Sequence, residues 1–191
     1  MEKVKRGSQT EHNLLASFAG ESQARNRYTM YAKVAREEGF KQIEAIFLET
    51  AEHERVHAKR FFSFLPGGMV EIKACYPSDI GITADNLKFA AAGEHEEHTI
   101  IYKMAAEVAE KEGYKEVAKQ FREVAKVEAE HEKRYLKLLK NVEKGQVFKR
   151  KTKVLWKCRE CGRIVEATQA PLRCPACDHP QAYFELFVEA Y

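Results

Sequence analysis

The chain has 191 residues, of which 32 are Lys or Arg and 29 are Asp or Glu, so the formal net charge is only +3. This near balance gives no sign of a nucleic-acid partner, and no stretch approaches the ~18 consecutive apolar residues of a membrane span. The N-terminus, MEKVKRGSQT, has no apolar signal region, so we expect a soluble, cytoplasmic protein.

The first three quarters of the chain predict four long helices. Ser8 followed by Glu11 fits a capping box, which starts the first helix. We expect helices over about 8–39, 40–64, 85–113 and 114–143. The connection between the second and third helices is long and begins with the helix-breaking residues PGG. Two short connections and one long crossover predict a ferritin-like four-helix bundle.

The two helical hairpins resemble each other in sequence. AREEGF (35–40) corresponds to AEKEGY (109–114), and FAGES (18–22) corresponds to AAGEH (91–95). Their registers differ by one residue, because Glu21 and Glu54 are 33 apart whereas Glu94 and Glu128 are 34 apart. We predict that the third helix takes up the extra residue as a π-bulge, a feature frequent near functional sites.

Each helix places at least one carboxylate in the middle of an apolar stripe, and two helices add a histidine three residues later. A stripe of this kind faces the core of a bundle. The stripe residues are Leu14, Phe18, Glu21 and Tyr28 in the first helix; Ile43, Phe47, Thr50, Glu54, His57, Phe61 and Phe64 in the second; Leu87, Ala90, Glu94, Glu97, Ile101, Met104 and Val108 in the third; and Val117, Phe121, Val124, Glu128, His131, Tyr135 and Leu138 in the fourth.

Five carboxylates in one core require a source of positive charge. A single Glu on a stripe is equally well explained as a boundary residue, but a cluster of buried carboxylates repels itself or takes up protons. Apart from Arg25, no Lys or Arg pattern lies on the stripes. The sequence therefore predicts two divalent metal ions, and oxygen-rich ligation with two imidazoles suits iron or manganese better than structural zinc.

The predicted site is asymmetric and has candidate supporting residues. Glu97 is a fifth carboxylate on the third helix, and the matching position of the first helix is Ala24. Tyr28 and Tyr102 fall close to the inner face; they are either ordinary core residues or hydrogen-bond donors to a ligand carboxylate, and we favour the second role. The remaining His and nearby Glu residues are expected to be exposed: His12, His53, His95, His98, His179, Glu52, Glu96, Glu130 and Glu132.

The last 38 residues predict a separate small domain. After a basic segment, two C-x-x-C pairs lie twelve residues apart, and their four thiolates can form a tetrahedron around zinc or iron. Trp156, Tyr183 and Phe184 are candidates for a small apolar cap, and so little apolar material needs a metal for stability. Cys75 stands apart and has no assigned role. The ligand candidates are Cys158, Cys161, Cys174 and Cys177.

Five segments together resemble the rubrerythrin family, and the likeness covers almost the whole chain. They are FAGESQARNRY (18–28), ETAEHERVH (49–57), AAGEHEEH (91–98), EAEHEKR (128–134) and CRECG…CPACDHP in the tail. The resemblance favours iron over zinc in the tail. It implies a di-iron bundle over residues 1–148, a linker over 149–153 and a rubredoxin-like iron domain over 154–191.

The resemblance also implies a role for each bundle ligand. Glu54 and Glu128 would bridge two irons. Glu21 would be the terminal ligand of the first iron, and Glu94 and His131 would bind the second.

Two further residues resemble the pair that exchanges at the first iron when its oxidation state changes, namely Glu97 and His57. They join Tyr28 and Tyr102 as the candidate catalytic residues. The four tail cysteines would hold the single iron. The twelve-residue gap between the cysteine pairs is shorter than in free-standing rubredoxins, as it is in rubrerythrin tails.

The function implied by the resemblance is reduction of hydrogen peroxide to water, as a defence against oxidative stress. The tail iron would deliver electrons singly, from a reduced pyridine nucleotide acting through a separate reductase or rubredoxin, because no Gly-rich dinucleotide motif is visible. Family members are homodimers or larger assemblies in which one subunit's tail approaches the other's di-iron site. The alternatives are a ferritin-like ferroxidase and a non-enzymatic electron carrier or redox sensor.

Overall fold

The computed structural model describes residues 3–72 and 74–189. Four helical rods dominate, because α3, a π-helical turn and α4 follow one another without a break. The elements are α1 Gln9–Glu37, α2 Lys41–Phe62, α3 Thr83–Glu96, the π-helix Glu97–Ile101, α4 Tyr102–Lys111, α5 Lys115–Glu143, β1 Lys149–Cys158, β2 Ile164–Gln169, a 3-10 turn Gln181–Tyr183 and β3 Phe184–Leu186. The predicted ferritin-like bundle with a long crossover and a small C-terminal domain is confirmed. Within the described residues, every helix is too short or too polar to cross a membrane.

Each helical hairpin turns at a glycine in the left-handed region. Gly39 has a φ of +82°, and the N–H of Phe40 bonds to the carbonyl of Ala35 at 2.8 Å. The second hairpin repeats both features, with a φ of +87° at Gly113 and a 2.8 Å bond from the next N–H to the carbonyl of Ala109. This is the Schellman type of helix ending, in which glycine avoids the steric cost of a side chain. The two turns are built alike, as the repeated sequence predicts.

The N-terminus of α1 is held by carboxylates from both hairpins. The Ser8 hydroxyl accepts a hydrogen bond from the N–H of Glu11 at 3.1 Å, and the Glu11 carboxylate accepts one from the N–H of Gly7 at 2.6 Å. Glu112, just after α4, accepts another from the N–H of Thr10 at 2.9 Å. These bonds satisfy donors that a helix start leaves free, and they tie the two hairpins together.

The crossover between α2 and α3 runs along α1. The hydroxyl of Tyr76 donates to the carbonyl of Ala16 at 3.0 Å, and the hydroxyl of Tyr31 donates to the carbonyl of Asp79 at 2.9 Å. These bonds lie about four helical turns apart along α1, because a turn takes about 3.6 residues. The crossover thereby carries the chain from one end of the bundle to the other, so that α3 can run beside α5.

The third rod contains the extra residue that the unequal hairpin spacing predicts. The π-helix Glu97–Ile101 follows directly on α3, which confirms the predicted bulge. The π-helix also rotates the side chains that follow it around the helix axis. The stripe predicted for the third helix is therefore wrong from Ile101 onward. Ile101 and Met104 are 41% and 61% exposed, whereas Tyr102 and Ala105 are buried in their place. One added residue rotates every later side chain by about 100° around the helix axis.

The core of the bundle consists of two apolar clusters. Along each helix, the stripe carboxylate lies between residues of one cluster and residues of the other. One cluster includes Leu14, Phe61, Tyr102 and Phe121, and the other includes Tyr28, Phe47, Leu87 and Tyr135. In three helices the carboxylate lies seven residues from a buried apolar side chain on either side. These triplets are Leu14, Glu21 and Tyr28; Phe47, Glu54 and Phe61; and Phe121, Glu128 and Tyr135.

The C-terminal domain is a three-stranded antiparallel sheet with the order β2-β1-β3. Residues 149–153, the expected linker, belong to β1, whose pairing with β2 is irregular between Lys149 and Val154. Trp156 is fully buried, and its indole N–H donates to the carbonyl of Ala167 at 3.0 Å. Trp156, Phe184 and two of the cysteines form the small apolar cluster.

This small domain contacts the turn between α1 and α2. The rings of Phe40 and Phe148 stack with centroids 6.2 Å apart. The ammonium group of Lys41 lies 5.3 Å from the centre of the Tyr183 ring. Within one chain, the tail therefore meets the bundle at the start of α2.

We expect truncation of Phe47 to be among the most damaging core changes. Its ring is fully buried and lies within about 6 Å of the rings of Tyr28, Tyr31 and Tyr135, centroid to centroid. Phe47→Ala should cost about 3–5 kcal/mol of stability, measured by thermal and denaturant unfolding of the iron-loaded protein. Phe62→Ala, at a ring that is 57% exposed, is the control, and equal losses in the two variants would contradict the assigned core.

Candidate metal centre

Four helices deliver carboxylates and imidazoles to the middle of the bundle. The rods are packed so that mid-length positions meet, and the side chains are almost fully shielded from solvent. The residues, with their exposed fractions, are Glu21 (0%) on α1, Glu54 (2%) and His57 (9%) on α2, Glu94 (1%) on α3, and Glu128 (0%) and His131 (5%) on α5.

These side chains form two groups of four that share two members. In each group the potential ligand atoms all lie within 4.8 Å of one another. Glu54 and Glu128 belong to both groups, so each carboxylate faces both sites. The groups are Glu21, Glu54, His57 and Glu128, and Glu54, Glu94, Glu128 and His131.

The distances show the same sharing. The Nδ1 atom of His57 lies 3.0 Å from Glu54 Oε2 and 3.1 Å from Glu128 Oε1. The Nδ1 atom of His131 lies 2.8 Å from Glu128 Oε2 and 3.4 Å from Glu54 Oε1. Each shared carboxylate thus directs one oxygen to each imidazole, so both carboxylates could contribute to holding two neighbouring cations.

Protons compete with metal ions for these buried negative charges. Burial would lower the pKa of His131, but the nearby carboxylates of Glu128 and Glu54 outweigh it and raise that pKa to about 12. Neighbouring carboxylates raise the pKa of His57 in the same way. Burial raises the pKa of Glu94 to about 8, against the opposing effect of the His131 imidazole. For Glu54, the two nearby imidazoles outweigh burial and lower the pKa to about 2. Metal binding therefore displaces protons.

The donor atoms fit a pair of cations. Several are fully buried and have no hydrogen-bond partner, which is costly unless another ligand satisfies them. Such a set of carboxylate oxygens and imidazole nitrogens is suited to iron. The unpartnered atoms in the cluster are Glu21 Oε2, Glu54 Oε1, Glu94 Oε2, both Glu128 oxygens and His131 Nδ1.

Two tyrosines hold the outer carboxylates. The hydroxyl of Tyr28 donates to Glu94 Oε1 at 2.7 Å, and the hydroxyl of Tyr102 donates to Glu21 Oε1 at 2.5 Å. Each bond crosses between the two hairpins. The pair fixes the orientation of one terminal carboxylate on either side, as outer hydrogen bonds do at metal centres.

Glu97 lies at the edge of the cluster. It is the first residue of the π-helix and is partly buried, but its carboxylate belongs to neither group of converging atoms. Burial, and then the charges of Glu94 and Glu21, raise its pKa well above the ordinary value. The negative charges of the cluster therefore favour the protonated form of this carboxyl group. Its role as a ligand stays a prediction.

A cavity of about 630 Å³ adjoins this edge. It lies between α1, the crossover and the π-helix, and its wall includes Glu97 and Tyr102 together with Gly20, Arg27 and Cys75. Cys75, which the sequence left without a role, is a free and exposed thiol here. The cavity thus leaves open space beside Glu97 at the edge of the cluster.

The sequence analysis missed the contact of His53 with His131. It was expected to be exposed, but its side chain is partly buried and its ring stacks on His131, with Nδ1 3.1 Å from His131 Nε2. This bond fixes the ring orientation of His131 and leaves Nδ1 of His131 facing the carboxylates. Its spacing was the available signal, because His53 lies three residues after Thr50 and four before His57, both of which are buried.

The four tail cysteines converge on a second site. Their sulfur atoms all lie within 4.8 Å of one another, with 3.8 Å between Cys158 and Cys177 and 3.6 Å between Cys161 and Cys174. Disulfides would need about 2.05 Å, whereas metal–sulfur bonds of about 2.3 Å give a tetrahedral edge of roughly 3.8 Å. Burial is outweighed at Cys174 by backbone N–H groups, which lower its pKa to about 6. The site therefore fits a tetrahedral thiolate-bound metal ion.

Comparison with known proteins agrees with both sites. A family model described as rubrerythrin matches residues 12–139, and one for the rubrerythrin rubredoxin-like domain matches residues 156–185. The chain belongs to the rubrerythrin family. It is 60% identical over 186 residues to rubrerythrin of Porphyromonas gingivalis, covering 97% of this chain and 93% of that protein. It is 52% identical over 184 residues to rubrerythrin of Nitratidesulfovibrio vulgaris, covering 95% of each.

The fold agrees as well. A solved structure of partially reduced nigerythrin superimposes with a TM-score of 0.64 at 29% identity, covering 97% of this chain and 90% of that one. Membership of the rubrerythrin family makes the protein an oxidoreductase. The carboxylate and imidazole cluster is suited to two iron ions, and the rubredoxin-like domain holds one more with its four cysteines.

We expect the shared carboxylates to be needed for both bundle irons. Glu128→Ala should remove both, because Glu128 belongs to both groups of ligand atoms. Iron analysis of the purified protein should fall from three ions per chain to the single tail iron. Glu130→Ala, two residues away and exposed, should keep all three. Full iron content in Glu128→Ala would contradict the bridging arrangement.

Proposed function

We propose that this rubrerythrin-family protein is a peroxide reductase that converts hydrogen peroxide to two waters. The observation that carries the proposal is the presence, in one chain, of a paired carboxylate–imidazole site and a four-thiolate site. The reaction consumes two electrons and two protons; two ferrous ions in the bundle would supply the electrons, one from each, and solvent would supply the protons. The four-thiolate iron suits one-electron transfer with little rearrangement, so it would restore those electrons one at a time.

Glu97 and His57 are the residues we propose to exchange during turnover. His57 already lies within 3.1 Å of two cluster carboxylates, whereas Glu97 lies outside the converging atoms at the cavity wall. The π-helix supports such a movement, because its hydrogen bonding differs from that of the flanking α-helices and π-bulges recur at functional sites. Glu97 would meet peroxide arriving through the cavity.

The two tyrosines have a positioning role in this proposal. Tyr28 holds Glu94, and Tyr102 holds Glu21 at the wall of the same cavity. Burial raises the pKa of both phenols well above the ordinary value, so both stay neutral hydrogen-bond donors. They would keep the outer carboxylates oriented while the centre changes charge.

We further propose that electrons cross between subunits of a homodimer or larger assembly. Within one chain the tail touches the start of α2 at Lys41. Glu54 is thirteen residues further along that helix, a distance of roughly 20 Å at ~1.5 Å per residue. A head-to-tail arrangement, in which the tail of one subunit approaches the bundle of the other, would shorten this path.

The proposed electron donor is a reduced pyridine nucleotide acting through a separate reductase or rubredoxin. We propose a cytoplasmic location, supported by five cysteines that form no disulfide, because disulfides are rare in that reducing compartment. The proposed role is defence against oxidative stress.

Electron entry through the tail is tested with Cys174→Ser. With NAD(P)H and its reductase, steady-state peroxide consumption should fall at least about 100-fold, because the tail could no longer pass electrons to the bundle. Single-turnover reduction of peroxide by chemically reduced protein should persist, because the bundle ligands are intact. Cys75→Ser, at an exposed thiol outside the four-thiolate site, is the control.

Two outcomes would go against the proposal. Undiminished turnover of Cys174→Ser with the same donor would rule out entry through the tail. Accumulation of ferric iron in the wild type, without sustained peroxide consumption, would favour a ferroxidase instead.

Glu97→Ala should separate turnover from metal binding. We expect both bundle irons to stay bound, because Glu97 is outside the two ligand groups, and peroxide turnover to drop at least about tenfold. Glu96→Ala, which alters a neighbouring residue of the same cavity wall, should turn over normally. Loss of one iron in Glu97→Ala would show that Glu97 is a structural ligand.

A further inference from the structure

A third group of potential ligands lies on the outer side of α3 and α5. The Nδ1 atom of His95 is 3.0 Å from Glu132 Oε1, and the Nε2 atom of His98 is 2.6 Å from Glu132 Oε2. All three ligand atoms lie within 4.8 Å of one another. We call these residues the outer triad. It is separate from the bundle cluster, although each member directly follows a cluster residue or Glu97 in the chain.

Two features make the outer triad a built arrangement. His95 and His98 are three residues apart, so they project from the same side of their helix. Glu132 reaches across from α5 and directs one oxygen to each ring. The carboxylate and the His98 side chain are only 20% exposed, whereas His95 is 59% exposed. Glu132 and His98 thus form the partly buried side of the triad, and His95 lies on the side that is open to solvent.

We propose that the outer triad is a binding site for a divalent transition-metal ion of the zinc class. Two imidazoles and one carboxylate form a three-ligand set that binds Zn²⁺ and leaves a position for water. A hard ion such as Mg²⁺ prefers oxygen ligands, so imidazoles select against it. The open side makes the ion exchangeable with solvent, unlike the enclosed bundle cluster.

Such an ion would clamp the π-helix to α5. His98 is the second residue of the π-helix, and His95 precedes that helix on α3. Ligation by Glu132 would therefore connect both sides of Glu97, which lies between the two histidines, to a neighbouring helix. The ion would restrain the segment in which the backbone departs from α-helical hydrogen bonding.

The test measures zinc uptake by the full chain with its iron sites loaded and oxidised. Isothermal titration with Zn²⁺, followed by zinc and iron analysis, should show one zinc per chain bound without loss of iron. His98→Asn and Glu132→Gln should each weaken this binding at least about tenfold. His95→Asn, at the most exposed position, is a third variant with little risk to folding. His12→Asn removes an exposed imidazole elsewhere and should bind zinc like the wild type.

Hydrogen exchange tests the clamp separately. Zinc should slow exchange of the amides in residues 97–101 of the wild type and have no effect in His98→Asn. The site is overturned if the three triad variants bind zinc like the wild type, or if zinc uptake is matched by iron release. The clamp is overturned if the wild type binds zinc at the triad without added protection. None of these readouts depends on peroxide chemistry.

Discussion

The mutual repulsion of buried carboxylates is the constraint on which this structure depends. Glu21, Glu54, Glu94 and Glu128 converge between apolar clusters where water cannot screen them. Protonation of the histidines can offset part of this charge, as the raised pKa of His131 indicates. Two iron ions would do so more completely and satisfy the unpartnered oxygens. The flanking layers of Phe, Tyr and Leu make the rods rigid enough to hold like charges together.

The π-helix makes the two halves of a nearly symmetric site unequal. The two helices of each hairpin are joined by the same kind of glycine turn. Each hairpin gives the cluster a single Glu from one helix and a Glu and a His from the other. Only the second hairpin carries an extra residue, and Glu97 opens the bulge there, whereas Ala24 occupies the matching place in the first. The bulge keeps Glu94 and Tyr102 pointing inward while presenting Glu97 to the cavity. An uninterrupted α-helix would turn Tyr102 away by about 100°.

Sequence periodicity predicted the bundle, the crossover and the central carboxylates because burial imposes a repeat of three and four on each helix. It failed where the repeat changes, so Ile101 and Met104 were assigned to the core although the π-helix turns them outward. It also missed His53, since contact with His131 depends on how α2 packs on α5. Residues 149–153 read as a linker because Lys and Arg dominate them, yet they form the first half of β1, where β3 does not pair with them and most of the side chains are exposed.

The division of the chain into two metal-binding parts is a consequence of their different demands on the protein. The bundle centre has two carboxylates shared between its ligand groups, a π-helix at its edge and an adjoining cavity, and we propose that these features accommodate changes of charge and ligation. In the four-thiolate site Trp156 and Phe184 pack with the buried Cys158 and Cys174, which suits a centre that changes charge without changing shape. Because the tail rests on the α1–α2 turn through Phe40 and Phe148, its own bundle centre lies far along α2. Chemistry and electron supply are thus separated within the chain, which is the reason for proposing that subunit association brings them together.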